Sequence, residues 1–133
     1  MTNHQLKLIT KTWQEILRLQ DWDVDVSFGR FREMQSDGGA IAWGRILINR
    51  QHRGASISIL HPDDYEKCEE KACTARHGTD EIETTVVHEL LHIYIHGADD
   101  DEKPATVEEE QAINAIAAAL VGLKGIKRER SQE

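Results

Sequence analysis

Apolar positions recur at helical spacing near both ends of the chain and alternate with polar ones between them. Leu6, Ile9, Trp13, Ile16 and Leu17 fall on one side of a 3.6-residue repeat. Thr2, with Gln5 three residues on, makes a capping box, so a first helix is predicted from there to about Gln20. The run from Trp22 to Phe28 alternates strictly, which predicts a half-buried antiparallel strand with Trp22, Val24, Val26 and Phe28 turned inward. After a loop at Ser36-Asp37-Gly38-Gly39, the stretches Ala40 to Asn49 and Ala55 to Leu60 read as two more strands. They are joined by a turn around Gln51-His52-Arg53-Gly54. Pro62 then suits the first turn of a short helix.

The helical period returns with Ile82, Val86, Leu90 and Ile93. Asp80 and Glu83 form a start signal for this helix, and Gly97 a stop after Tyr94-Ile95-His96. The polar, Pro-containing linker from Ala98 to Ala105 leads to another capping box, Thr106 with Glu109. The apolar face of a last helix follows at Ile113, Ala117, Leu120 and Val121. The small residues Ala115, Ala117, Ala118 and Ala119 would let that helix approach its predecessor closely. These elements predict an α+β fold: an N-terminal helix, a small twisted antiparallel or mixed sheet of about three strands, and two C-terminal helices packed on it. One domain is expected over residues 1–123, with no internal repeat. Lys124, Lys127, Arg128 and Arg130 give residues 124–133 a basic character, and a disordered tail is expected there.

The first of the C-terminal helices carries chemistry. His88-Glu89-Leu90-Leu91-His92 is an H-E-x-x-H pattern. Residues four apart on a helix lie about 40° apart around its axis, so His88 and His92 can share one ion, with Glu89 beside them as a general base. A zinc site that does chemistry has three protein ligands and leaves the fourth position for water. The next helix offers the third. Glu108, Glu109 and Glu110 compete for it, and Glu110 is preferred because it shares a face with Ile113 and Ala117, whereas Glu109 fits the cap and Glu108 the exposed start. About one Zn²⁺ per chain is expected, held by His88, His92 and Glu110. His96, one turn beyond His92, could act as a hydrogen-bond partner to the site, stabilise an oxyanion, or be a surface histidine near the helix C-terminus. His77 and Tyr94 are further candidates for that second task, and Asn114 is either a supporting or a packing residue.

This segment resembles the minimal gluzincin (H-E-x-x-H, zincin-like) metallopeptidases, most nearly the ImmA/IrrE type of bacteria and phages. Those proteins show H-E-x-G-H-x-x-x-H followed by E-x-x-A-N-x-F-A. His96 matches the trailing histidine, Glu110 the third ligand, and Asn114 and Ala117 the helix that carries it, while Leu91, Ile113 and Ile116 depart from the pattern. The resemblance covers the last third of the chain. It implies a zinc metallopeptidase that hydrolyses peptide bonds of a protein substrate such as a regulator, with Glu89 as general base to the attacking water. The alternative is a non-catalytic, zinc-containing regulatory or peptide-binding protein. In zincin-like folds the sheet edge beside the metal helix can take up an extended peptide by strand addition, and Ser56-Ile57-Ser58-Ile59 is the expected edge.

Charge narrows the partners. The 133-residue chain has a formal net charge of −8, and its acids crowd the segment from Asp63 to Glu110. An acidic rim repels polyanions, so nucleic acid is not an expected partner of the core. The segment Met1-Thr2-Asn3-His4-Gln5 opens no apolar leader and no run approaches membrane-spanning length, so a cytoplasmic location is expected. Cys68 and Cys73 read as free thiols in preference to a second zinc site with His61 or His77. Trp13, Trp22 and Trp43 are expected in the core or at its boundary.

Overall fold

The computed structural model describes residues 1–35, 42–67, 79–96 and 106–131. The order of elements is α1 (Asn3–Ile16), β1 (Asp23–Gly29), β2 (Gly44–Asn49), β3 (Gly54–Leu60), a 3-10 helix (Pro62–Lys67), α2 (Thr79–His96) and α3 (Val107–Ser131). This is the expected α+β arrangement: an N-terminal helix, a three-stranded mixed sheet and two C-terminal helices. The loop at Ser36–Gly39, Cys68, Cys73 and His77, the stop at Gly97 and the linker Ala98–Ala105 lie outside the described residues.

The sheet order is β1-β3-β2. β2 and β3 form the predicted hairpin, pairing antiparallel with Ile46 opposite Ile57. Arg53 in its turn adopts a φ of 51°. β1 runs parallel to β3, with Val26 opposite Ile57, which corrects the antiparallel expectation. Alternation reports which face of a strand is buried and is the same in either direction, so pairing sense is not written in it. The expected edge is corrected for a related reason. Ser56 to Ile59 lie in β3, the central strand, and the two edges are β1 and β2. The serines of β3 mark a face of the sheet, not its rim, and Ala55, Ile57, Ile59 and Leu60 of the same strand are buried.

α1 begins as predicted, with Thr2 and Gln5 forming a complete capping box. It ends at Ile16, before the expected Gln20. Arg18 turns left-handed at φ 62°, and the Arg18 and Leu19 amides donate to the carbonyls of Glu15 and Gln14. That is the Schellman closure, here with arginine where glycine is usual. Gln14 Nε2 reinforces it by donating to the carbonyls of Leu19 and Trp22.

α2 is the hub of the core. Ile82, Val86, Val87, Leu90, Leu91 and Ile93 are buried against α1, the sheet and α3, together with Leu6, Trp13, Val26, Ile57, Ile113 and Ala117. Glu83, half of the predicted start signal, also turns Oε1 inward to accept from Trp13 Nε1 at 2.6 Å and Lys124 Nζ at 2.5 Å. One buried carboxylate thus ties α1, α2 and α3 together. α3 opens with the predicted box, Thr106 and Glu109 exchanging backbone-to-side-chain bonds. Its backbone is helical to Ser131, and Lys124 is held by Glu83. A smaller cluster of Met34, Leu60 and Tyr65 packs Trp43 beside β2, with the Trp43 and Tyr65 rings stacked at 4.5 Å. Beside it, buried Asp64 accepts from Arg30 Nε and Nη2 and from the Phe31 amide, bracing the chain after β1. Among the described residues no helix is long and apolar enough to cross a membrane.

Candidate metal centre

Two helices build the site from opposite sides. His88 and His92 lie one turn apart on α2, and their Nε2 atoms stand 3.3 Å apart. Glu110 reaches them from the first turn of α3, with Oε2 at 2.9 Å from His88 Nε2 and Oε1 at 3.0 Å from His92 Nε2. These three residues form a group that could hold a metal ion. The donor set fits zinc: ligand atoms about 2.0–2.1 Å from a tetrahedral ion sit roughly 3.3 Å from one another, close to the spacing here. Two neutral imidazoles and one carboxylate also leave room for a fourth, exchangeable position.

Glu109 and Glu110 are separated by their partners. Glu109 closes the capping box with Thr106 and places Oε2 at 3.3 Å from His96 Nε2. Glu110 alone of the three rival carboxylates converges with His88 and His92, and Glu108 is exposed. His96 stacks on the His92 ring at 5.5 Å, so it supports the site through His92 and the cap. The Arg50 guanidinium donates to its carbonyl at 2.7 Å, closing the C-terminus of α2 with a cation. Tyr94 lies elsewhere. Its hydroxyl donates to the Leu17 carbonyl at the end of α1, which removes it from the candidates for oxyanion stabilisation.

Burial sets the charge states. It is the main cause holding the His92 imidazole below the usual range, with His88 and His96 acting in the same direction against Glu110 and Glu109. A neutral imidazole is the form that offers a lone pair to a metal. Burial, assisted by the negative charge of Glu110, pushes the Glu89 carboxyl up from its ordinary 4.5 to about 8. A divalent cation at the three ligands acts in the opposite sense, favouring the carboxylate.

The site opens into a cleft of about 710 Å³, walled on one side by Trp43, Gly44 and Arg45 of the β2 edge and on the other by Asn114 and Ala118 of α3. Gly44 is a contributor that the sequence reading missed. A Cβ on it would lie 2.8 Å from Thr85 Cγ2 and 2.9 Å from Glu89 Oε1, so only glycine lets β2 run this close to the helix that carries Glu89. The signal was present, since a glycine within a strand pattern marks a close approach. Of the four alanines expected to ease the helix contact, Ala117 is buried against α2 and Ala118 lines the cleft, whereas Ala115 and Ala119 are exposed.

Three outcomes are expected. Elemental analysis of purified protein gives about one zinc per chain, strongly reduced in His88→Ala and His92→Ala, weakened in Glu110→Ala and unchanged in Glu109→Ala. Undiminished metal in all three ligand variants would remove the site. Gly44→Ala lowers the unfolding free energy in urea by about 1–3 kcal/mol, and adding Thr85→Ala recovers part of the loss; equal stability of Gly44→Ala and the parent would refute the close packing. In metal-free protein, a Glu89 carboxyl raised to about 8 contributes stability that is fully present below about pH 4.5 and is lost as pH rises through 8. Glu89→Gln therefore gains on the parent across that window, by about 1.4 kcal/mol per pH unit at most, and the gain levels off above it. A difference independent of pH would contradict the shift.

In comparisons with known proteins, no family model matches the chain, and no curated protein or solved structure matches it.

Proposed function

We propose that the chain is a zinc-dependent metallopeptidase of the gluzincin kind, in which His88, His92 and Glu110 hold the ion and Glu89 is the general base. The observation that carries this reading is the convergence of the two imidazole Nε2 atoms, 3.3 Å apart, with the two Glu110 carboxylate oxygens at 2.9 and 3.0 Å from them, at the wall of an open cleft that Glu89 also lines. Bound zinc would supply Lewis acidity, lowering the pKa of a water and polarising a carbonyl. The Glu89 carboxylate takes a proton from the attacking water and passes it to the departing amine nitrogen. Its burial keeps competing bulk water away, and the close approach of Gly44 limits where its oxygens can move. The H-E-x-x-H spacing and the Glu110 helix support the same family reading.

The cleft suits an extended peptide. Among the described residues β2 is an edge strand, the kind of position at which an extended substrate adds as another strand. That edge leads from Leu47 and Ile46 to Gly44 and Trp43, directly alongside Glu89 and the ligands. The substrate is accordingly a protein or peptide presented in extended form.

Zinc-loaded protein incubated with a proteome-derived peptide library should produce new amine termini at defined sites, read by mass spectrometry. Glu89→Gln should keep its zinc and fold and lose cleavage by at least about 10²-fold, the scale of a general base. Equal cleavage by both would sink the role of Glu89. Peptide binding without cleavage by the zinc-loaded parent would leave a metal-containing binding protein in place of an enzyme.

A further inference from the structure

The left-handed backbone region disfavours any residue with a Cβ, and glycine usually fills it. Among the described residues two that are not glycine stand there, and both are arginine: Arg18 at φ 62° and Arg53 at φ 51°. Arg18 follows the end of α1, and Arg53 lies in the β2–β3 turn. Both line one cavity of about 440 Å³, which Arg50 of the same turn also lines. It shares no lining residue with the metal cleft. Backbone strain that persists where glycine would relieve it points to a use for the side chain.

The chemistry of the lining says what that use is. Three guanidiniums stand here against one carboxylate, Asp21, on a chain whose formal net charge is −8. Asp21 pairs with Arg53 at 2.6 Å, and both side chains are more than half exposed, so water screens the pair and an incoming anion competes with it. Arg53 also lies over the Trp22 ring, 5.5 Å from its centre. Arg50 uses Nε on the His96 carbonyl, which leaves both terminal nitrogens of its fork for another acceptor. Arg18 has no carboxylate partner among the described residues. Capping the negative helix ends of α1 and α2 accounts for a cation at each. It does not account for arginine at the left-handed position where glycine closes a helix without strain.

Between the arginines, Leu19, Trp22 and Ile93 are buried. Tyr94 turns its hydroxyl to the Leu17 carbonyl and offers a ring to the cavity, the residue being 56% exposed. A hollow of this size, part cationic and part apolar, suits a small molecule. Guanidinium forks match pairs of phosphate oxygens, and a doubly charged group gains most from several of them.

We propose that this cavity, where the end of α1, the β2–β3 turn and the last turns of α2 meet, binds a phosphate monoester of a small molecule with an apolar or aromatic body. Arg18, Arg50 and Arg53 take the phosphate, and Tyr94 flanks the body. The site stands whether or not the metal centre hydrolyses peptides.

Titration of the zinc-loaded full chain with phenyl phosphate at fixed ionic strength, followed by NMR through the arginine Nε–H resonances, should give a saturable shift at Arg18, Arg50 and Arg53. The dissociation constant should lie in the millimolar range or below. Inorganic phosphate should shift the same arginines with lower affinity. Benzoate, with the ring but a single charge, should bind at least about tenfold more weakly than phenyl phosphate. Arg50→Gln and Arg18→Gly should each weaken phenyl phosphate by at least about tenfold. Arg18→Gly should do so while raising the urea midpoint, because it removes the guanidinium and the strain together. Asp21→Asn, which removes the competing carboxylate, should tighten binding. A shift reproduced by sodium chloride, or an affinity unchanged in both Arg18→Gly and Arg50→Gln, overturns the site. Benzoate binding as tightly as phenyl phosphate overturns the phosphate assignment. Shifts of the His88 and His92 rings in place of these arginines would put the anion at the metal centre and overturn the proposal as well.

Discussion

The structure depends on burying α2 while that helix carries ionisable groups on several sides. Isolated charges cannot be taken out of water without partners, because their desolvation costs more than packing returns. Three of these groups draw in another element. Glu83 holds Trp13 of α1 and Lys124 of α3, and His88 and His92 face Glu110 from the start of α3. The helix is apolar enough to organise the core and polar enough to dictate which helices stand beside it.

Glu89 is the exception, and its position explains the character of the site. It is buried, near a second carboxylate, and its carboxyl is pushed up to about 8. Glu83, His88 and His92 meet oppositely charged groups of α3, whereas Glu89 lies where a cation at His88, His92 and Glu110 would provide one. The ligand triad and the raised carboxyl are thus two aspects of one electrostatic arrangement. Gly44 completes it sterically by letting β2 close over Glu89 without a side chain in between. The cleft is consequently shaped by a strand edge and a helix, two rigid supports, in keeping with a site that must hold its groups in fixed relation.

α3 has two unlike sides. Its inner side carries Glu110 of the candidate metal group and a packing surface, and its outer side from Ala112 to Leu123 is exposed and largely apolar. That pattern gives the helix little amphipathic contrast, and the reading from periodicity accordingly found only its inner face. The assumption that Ala115, Ala117, Ala118 and Ala119 share one purpose also fails, because successive residues on a helix are 100° apart. Two of these alanines look toward the neighbouring helix or the cleft, and two look away.

Much of this protein was legible in short-range pattern. The capping boxes at Thr2 and Thr106, the hairpin turn before Gly54, the inward side of β1 and the i, i+4 pairing of His88 with His92 are local consequences of residue order. Glu110 was reachable as well, since Glu109 had a prior engagement at the helix cap and Glu108 sat at the exposed start. What the tertiary structure alone decided involves partners distant in the chain. The parallel pairing of β1, the central place of β3 and the inward turn of Glu83 toward Trp13 and Lys124 all belong to this class. So do the left-handed Arg18 that ends α1 early and the contact of Gly44 with Glu89. Hydrophobic periodicity specifies which side of an element is buried, and capping specifies where it begins. Neither encodes which buried side meets which, because that is settled by competition among packings of the whole chain.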